Sequence, residues 1–320
     1  MPRAPRPHRR AADRQASIRD RTALNRRIVI GAAVAAGALL AVFSWSRGGT
    51  PVRDGAPNWA PSGREVVFHR EEQGGTALYL VRTDGTGIRR LFVDATADRS
   101  AAFSPDGTRL AFVSRRDGNP EIYVAGFDGT DLRRLTTHDA DDLAPAWTSD
   151  GESLAFVSNR AGDGFDLFRI NADGTGLTRL TEAGRDGAPQ FSPDGSRLAF
   201  VKAGDVHMLD LTSQAIVRLT SEPSAGAHPA WSPDSAQLAF VSSRNGRAEV
   251  FTMKADGTDQ RPLVTMPAGD AVEPRWSPDG RHVAFVHVAP APGGGTTEAR
   301  EERAVYLVEI STGRLQRLSR

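Results

Sequence analysis

Seven histidines, at positions 8, 69, 138, 207, 228, 282 and 287, are the side chains of this sequence best suited to hold a metal or pass a proton. None of them forms a two-histidine metal spacing on one helix face, and His282 and His287, five residues apart, point to opposite faces if they share a strand. Surface or loop histidine is the reading that follows. His228 stands apart because it precedes Pro229 at a point where the chain is placed to face a central channel. A second set, Asp106, Asp150, Asp194, Asp234 and Asp279, recurs at even intervals and raises calcium, but each occupies a turn position that needs no ion. The nucleophile elbow Gly-x-Ser-x-Gly, the P-loop and the Gly-x-Gly-x-x-Gly turn are missing from the sequence. No metal or cofactor is therefore expected, and no catalytic residue is nominated.

A third set is electrostatic. Arg115, Arg160 and Arg244 follow serines at corresponding places, and Asp98, Asp139, Asp141, Asp142, Asp186 and Asp270 lie in adjoining loops. One reading has the arginines bridging neighbouring sheets. The other makes Arg115, Arg160, Arg244, Asp142, Asp186 and Asp270 a polar rim that receives a protein or peptide.

The elements that must position these residues come from an internal repeat. The stretch 188–200, APQFSPDGSRLAF, has five imperfect copies, its Phe191 being matched by Trp59, Phe103, Trp147, Trp231 and Trp276. The intervals are 44, 44, 44, 40 and 45 residues, a period that belongs to propellers and solenoids. In each copy Ser-Pro-Asp-Gly or its equivalent suits a type I turn between an inner strand and a second strand. The second strands (LAFV at 110–113, 154–157, 198–201 and 238–241, VAFV at 283–286, and VVF at 66–68) are apolar on both faces, as strands stacked between sheets must be. Third strands such as EIYV at 121–124 lead through Asp-Gly-Thr turns at Asp84, Asp128, Asp173 and Asp256 into arginine-bearing outer strands whose charge discourages further pairing.

Four strands in each of six copies predict an all-β fold, a six-bladed β-propeller over residues 55–320, with blades starting near 56, 100, 144, 188, 228 and 273. Each copy runs from inner to outer strand, which predicts closure by packing of the first blade against the last, with no donated strand. The Pro- and Gly-rich stretch 289–303 in the last copy reads as a surface loop, at most a short helix over 298–303. Loops between second and third strands and between blades share one rim and vary most, so that rim is the expected binding face.

The W/F-SPDG-x-x-LAFV…EIYV…DGT…RRLT repeat resembles the WD40-like Pro-Asp repeats of the TolB family over residues 55–320. The resemblance implies a six-bladed periplasmic propeller that binds proteins or peptides of the cell envelope.

What precedes the repeats fits that location. Residues 1–27 carry nine arginines and little apolar content, which reads as a solvated, disordered cytoplasmic tail. Residues 28–46 are 19 residues without a charge, about 28 Å as a helix, enough to span a bilayer. The arginine excess on the N-terminal side predicts an N-inside orientation, with the propeller outside the cytoplasm on a linker over 47–54. The rival is a cleaved signal peptide ending near Ala36-Gly37-Ala38 and a secreted propeller. Forty basic against 39 acidic residues give no electrostatic case for nucleic acid, and the absence of cysteine excludes disulfide or thiol chemistry. The functional expectation is a monomeric, non-catalytic module that binds a protein or peptide of the envelope. The alternative is a hydrolase or lyase acting on envelope peptide or carbohydrate in the channel, where a metal would use His228. Histidine and carboxylate converging in the channel would favour that alternative, and a wall of small or apolar groups would count against it.

Overall fold

The computed structural model describes residues 53–92, 97–162, 164–182, 184–221, 226–290 and 301–319. All lie in the second of the two units into which the chain divides, 46–320. The expected tail, the apolar run 28–46 and most of the linker fall outside the described residues. Among those described there is no helix long and apolar enough to cross a membrane.

The fold is an all-β propeller of four-stranded antiparallel blades. The second repeat shows the plan: an inner strand Arg99–Phe103, then Arg109–Ser114, Glu121–Gly126 and the short outer Arg133–Arg134. Four repeats, over residues 99–134, 142–179, 186–218 and 226–264, stand as separate sheets. The first and last repeats are instead joined in one eight-stranded sheet, by a parallel pairing of Arg53 with Arg303. The expected turns are present: Gly107 donates to Ser104 at 2.9 Å and Gly195 to Ser192 at 2.8 Å, and Asp106 Oδ1 accepts the Thr108 amide at 3.0 Å. These aspartates serve the turn.

Each blade is built round one phenylalanine of its second strand. Phe68, Phe112, Phe156, Phe200, Phe240 and Phe285 are fully buried and face a ring on the third strand, as in Phe112 with Tyr123 at 6.0 Å and Phe240 with Phe251 at 5.8 Å. Burying a side chain of this size contributes about 2–3 kcal/mol, so the repeated phenylalanine is the main apolar anchor of each sheet.

Inner strands lie side by side, and Asp270–Trp276 lies beside Arg53–Trp59, which closes the ring. The seam uses the bonds found between consecutive repeats. Trp147 Nε1 donates to the Ala102 carbonyl at 3.1 Å and Trp231 Nε1 to Gln190 at 3.0 Å, while across the seam Trp59 Nε1 donates to Arg275 at 3.1 Å. The Arg53–Arg303 pairing likewise matches the bridges of Thr76 with Ala97 and Phe165 with Arg185 between successive repeats. No strand is exchanged between the ends. Closure nevertheless includes main-chain pairing as well as the expected packing, because the last repeat's third strand begins early enough to reach Arg53.

That early start also corrects the reading of Glu301–Arg303 as loop or helix. The second strand of the last repeat is His282–Pro290 and the third is Glu301–Glu309, paired through Ala289 with Glu302 and Pro290 with Glu301. Residues 291–300 are outside the described set. The pairing wins over local helix preference because Arg303 is also held by a carboxylate, as described next.

Candidate functional site

Every inner strand is interrupted three residues before its aromatic. The register with the second strand slips there, and the residue at the slip has a left-handed backbone: Ala56, Ser100, Ala144, Ala188, His228 and Glu273, with φ between 47° and 57°. Proline follows in five of the six, at 57, 145, 189, 229 and 274, and cannot donate to the ladder, so a bulge is the natural outcome. For a residue with a Cβ this backbone costs on the order of 1 kcal/mol or more. Four repeats meet it with Ala or Ser. Two place a long polar side chain, His228 or Glu273, there instead.

Those two side chains, with one from the first repeat, form a cluster around Glu273. One Glu273 oxygen accepts the amide of Ala56 at 2.5 Å, and the other accepts from Arg303 at 3.1 Å. His69 lies beside Gly55: a Cβ built on that glycine would be 2.8 Å from His69 Nε2 and 3.4 Å from the same Glu273 oxygen. In the other repeats the position of His69 is Val113, Val157, Val201, Val241 and Val286, and the cross-strand partner is Arg99, Leu143, Gly187, Ala227 or Val272. The imidazole thus takes space that only glycine leaves open. Arg275, two residues beyond Glu273, donates through Nη1 to the Pro274 carbonyl at 2.8 Å while its Nε has no partner. Nδ1 of His69 and of His228 also lacks one.

The electrostatics follow from enclosure. These side chains are partly accessible yet largely surrounded by protein. Burial lowers His69 to about 4, against a smaller upward pull from Glu273, and burial likewise lowers His228. For Glu273, burial pushes upward but is outweighed by Arg303 and by the imidazoles, which take protons as the pH falls, and the carboxyl is held at about 2. At neutral pH the cluster is an ionised carboxylate among arginines, with neutral imidazoles on either side. The described residues contain no group of three or more such side chains able to hold a metal ion.

The rim residues singled out in the sequence do other work. Arg116, not Arg115, corresponds to Arg160 and Arg244: each donates Nε to the serine two residues before it, Ser114, Ser158 or Ser242, at 2.9 Å. The double arginine at 115–116 makes the register ambiguous in sequence. Arg160 then pairs with buried Asp142 at 2.5 Å and lies over the Phe156 and Phe168 rings; Arg116 pairs with Asp98 at 2.9 Å. Arg244 reaches Gln260 at 2.8 Å, Asp186 lies 3.6 Å from Lys202, and Asp270 accepts the Ala248 amide at 3.0 Å. Arg160 and Arg244 tie strands together within a blade, while Asp142, Asp186 and Asp270 also reach the preceding repeat, through Pro120, Phe165 and Ala248. Asp142 Oδ1 and both oxygens of Asp186 nevertheless lack a hydrogen-bond partner, and Arg115 is exposed. His228 lies on the inner strand Gly226–Trp231, at its left-handed position. His69 and Glu273 were missed, although both are visible as departures from the repeat: histidine where five copies have valine, and glutamate where four have Ala or Ser.

A family model described as the TolB beta propeller domain matches residues 48–186 and 181–319. No curated protein matches the chain in sequence. Among solved structures, TolB from Acinetobacter baumannii is 24% identical over 70% of this chain, with a TM-score of 0.59, and the match spans 57% of that protein's length. An oligogalacturonate lyase in complex with manganese is 17% identical over 84% of this chain and 78% of its own, with a TM-score of 0.57. A puromycin-hydrolyzing peptidase of Mycobacterium tuberculosis is 16% identical over 84% of this chain and 53% of its own, with a TM-score of 0.60. At these identities the likeness is one of fold.

Proposed function

The chain belongs to the TolB beta propeller domain family, and from that premise we propose that it is a six-bladed propeller that binds a protein or peptide of the cell envelope in its central channel without catalysing a reaction. The eight-stranded sheet counts as two blades, since its seam repeats the bonds between consecutive repeats. We place the propeller outside the cytoplasm, anchored by residues 28–46, on the charge asymmetry and apolar length of the N-terminal sequence.

The observation that carries the binding reading is that both oxygens of Glu273 are already engaged, one by the Ala56 amide and the other by Arg303. An acid–base catalyst works best when its pKa lies near the working pH. Glu273 at about 2 and His69 at about 4 are both too weakly basic to serve well as neutral-pH bases, and neither a carboxylate nor a neutral imidazole is a ready general acid. Such a wall recognises better than it transfers protons.

The second reading, a channel-sited hydrolase or lyase, is favoured by one specific finding. His69, Glu273 and His228 do converge, which is the arrangement the sequence reading set as the mark of an enzyme. The two readings separate by experiment. Full-length protein in membranes is crosslinked and captured beside an H228A variant, and both are assayed for cleavage of envelope peptides and glycans. A protein band lost in H228A with no turnover supports binding; turnover in the wild type lost in H228A overturns it.

A further inference from the structure

The arginine that recurs on the rim is absent from the fourth repeat, although the groups that hold it elsewhere are kept. In the second, third and fifth repeats it stands four residues beyond the buried phenylalanine and lies over a ring pair: Arg116 over Phe112 and Tyr123, Arg160 over Phe156 and Phe168, Arg244 over Phe240 and Phe251. The first repeat does the same with Arg70, two residues beyond Phe68, and in the last His287 meets Tyr306 edge-on. In the first three repeats the guanidinium also meets the aspartate at the start of the inner strand. Asp54 accepts through both oxygens at 2.7 and 2.9 Å, Asp98 through both at 3.0 and 2.9 Å, and Asp142 through one at 2.5 Å. In the fourth repeat Phe200 and His207 pair as Phe156 and Phe168 do, with ring centres 5.8 Å apart. Asp186 sits opposite Lys202 in the register that sets Asp142 opposite Ser158, and both aspartates are buried. The connection from second to third strand, 115–120, 159–165 or 243–248 elsewhere, is cut here to Ala203-Gly204, so glycine stands at the arginine position.

Lys202 does not replace that arginine. Its Nζ lies 3.6 Å from Asp186 Oδ1 and donates instead to the Glu182 carbonyl at 2.7 Å, so both oxygens of Asp186 are without a donor. A buried carboxylate in that condition is costly. The short connection also leaves His207 half-buried, where Tyr123, Phe168 and Phe251 are buried. We propose that Asp186, Phe200 and His207 receive the guanidinium of an arginine side chain from a protein or peptide partner, at the rim and without resting on the channel reading. Guanidinium fits better than ammonium because its edge gives a carboxylate two donors while its flat face stacks on rings. Asp186 is enclosed and Lys202 beside it is partly exposed, so the ligand enters by moving this flexible side chain aside.

The full chain in detergent is titrated calorimetrically with acetyl-Gly-Arg-Gly-amide and with the same peptide carrying lysine or citrulline, the uncharged isostere of arginine. The arginine peptide should bind at least about tenfold tighter than the citrulline peptide, as a charge-assisted bond implies, and tighter than the lysine peptide. D186N should abolish the difference. Replacing residues 202–204 by the fifth repeat's 242–248 gives the rim an arginine of its own and should block the peptide, with circular dichroism showing that the fold is kept. Equal affinity for the arginine peptide and either of the others, or no arginine binding at millimolar concentration, overturns the proposal, and this comparison needs no variant to fold. Arginine binding that survives both D186N and the loop exchange overturns it as well. Binding by K202A and not by the wild type would make Lys202 the cation of this site and likewise overturn it.

Discussion

The carboxylate of Glu273, on the last inner strand, takes the amide proton of Ala56, on the first, at 2.5 Å. One side chain thereby serves the ring seam and the channel wall together. Replacing it tests both. E273A leaves the Ala56 amide and Arg303 without their acceptor, and the expected loss is about 3 kcal/mol. E273Q keeps an acceptor for the amide and should lose less. In both variants the pKa of His69 should fall further, because the carboxylate is what pulls it up. Urea denaturation reads the first effect and imidazole chemical shifts the second.

Gly55 and His69 are a size-matched pair. A Cβ at position 55 would stand 2.7 Å from the His69 ring, closer than carbon atoms approach without displacement. G55A should therefore destabilise by about 1–3 kcal/mol, the usual cost of overpacking. The double variant G55A/H69V recreates the Ala227–Val241 pair of the fifth repeat and should recover most of that loss. Additive losses in thermal denaturation would show that the two side chains do not compete for one space.

The fold was legible because its cause is local and repeated. A turn preference, an apolar four-residue strand and an aromatic recur in six copies, and the same physics acts on each. The site was less legible because it consists of departures from the repeat. His69 hides in a strand otherwise recognised by its valine, and its approach to Glu273 depends on residues more than 200 apart that meet only when the ring closes. The rim arginines left two readings open for the opposite reason. A charge repeated in blade after blade, such as Arg160 on Asp142 and over Phe156, serves to hold each sheet together and says little about a partner. The joined first and last repeats were not foreseen, since the stretch before Val305 reads as loop by composition and becomes strand through pairing with His282–Pro290.

Arg160 and Arg115 should separate accordingly. R160A leaves Asp142 buried with no cation, and the expected cost is about 3 kcal/mol or more. R115A removes an exposed side chain and should change stability by no more than about 0.5 kcal/mol. Equal effects in urea denaturation would mean that the Asp142 pair contributes nothing beyond a surface charge.

The seam offers a direct comparison. Trp59 to Arg275 and Trp147 to Ala102 are chemically the same bond at the same length, 3.1 Å. W59F and W147F each remove an indole donor from a mostly buried site, and each should cost about 1–2 kcal/mol, with some added loss of contact area. If the ring closes as firmly as it continues, the two variants will have similar denaturation midpoints. A much smaller effect of W59F would mark the seam as the weak joint from which the propeller opens.

Stability should fall on acidification in a window set by His69. Its pKa is lowered from 6.5 to about 4, so the unfolded chain binds a proton that the folded chain refuses. The stabilisation from excluding that proton is fully present above pH 6.5 and lost progressively down to about pH 4, below which this group adds no further slope. The shift corresponds to at most about 3 kcal/mol, with water in the channel screening part of it. His228, lowered in the same direction by burial, adds to the loss of stability below pH 6.5. Glu273 acts lower, its contribution being present above pH 4.5 and lost as the pH falls through about 2. The H69V variant isolates the first phase: its urea midpoint should drop less than that of the wild type between neutral pH and pH about 4.5. An identical drop in both proteins would show that His69 titrates as an ordinary exposed histidine and that the enclosure of the cluster is incomplete.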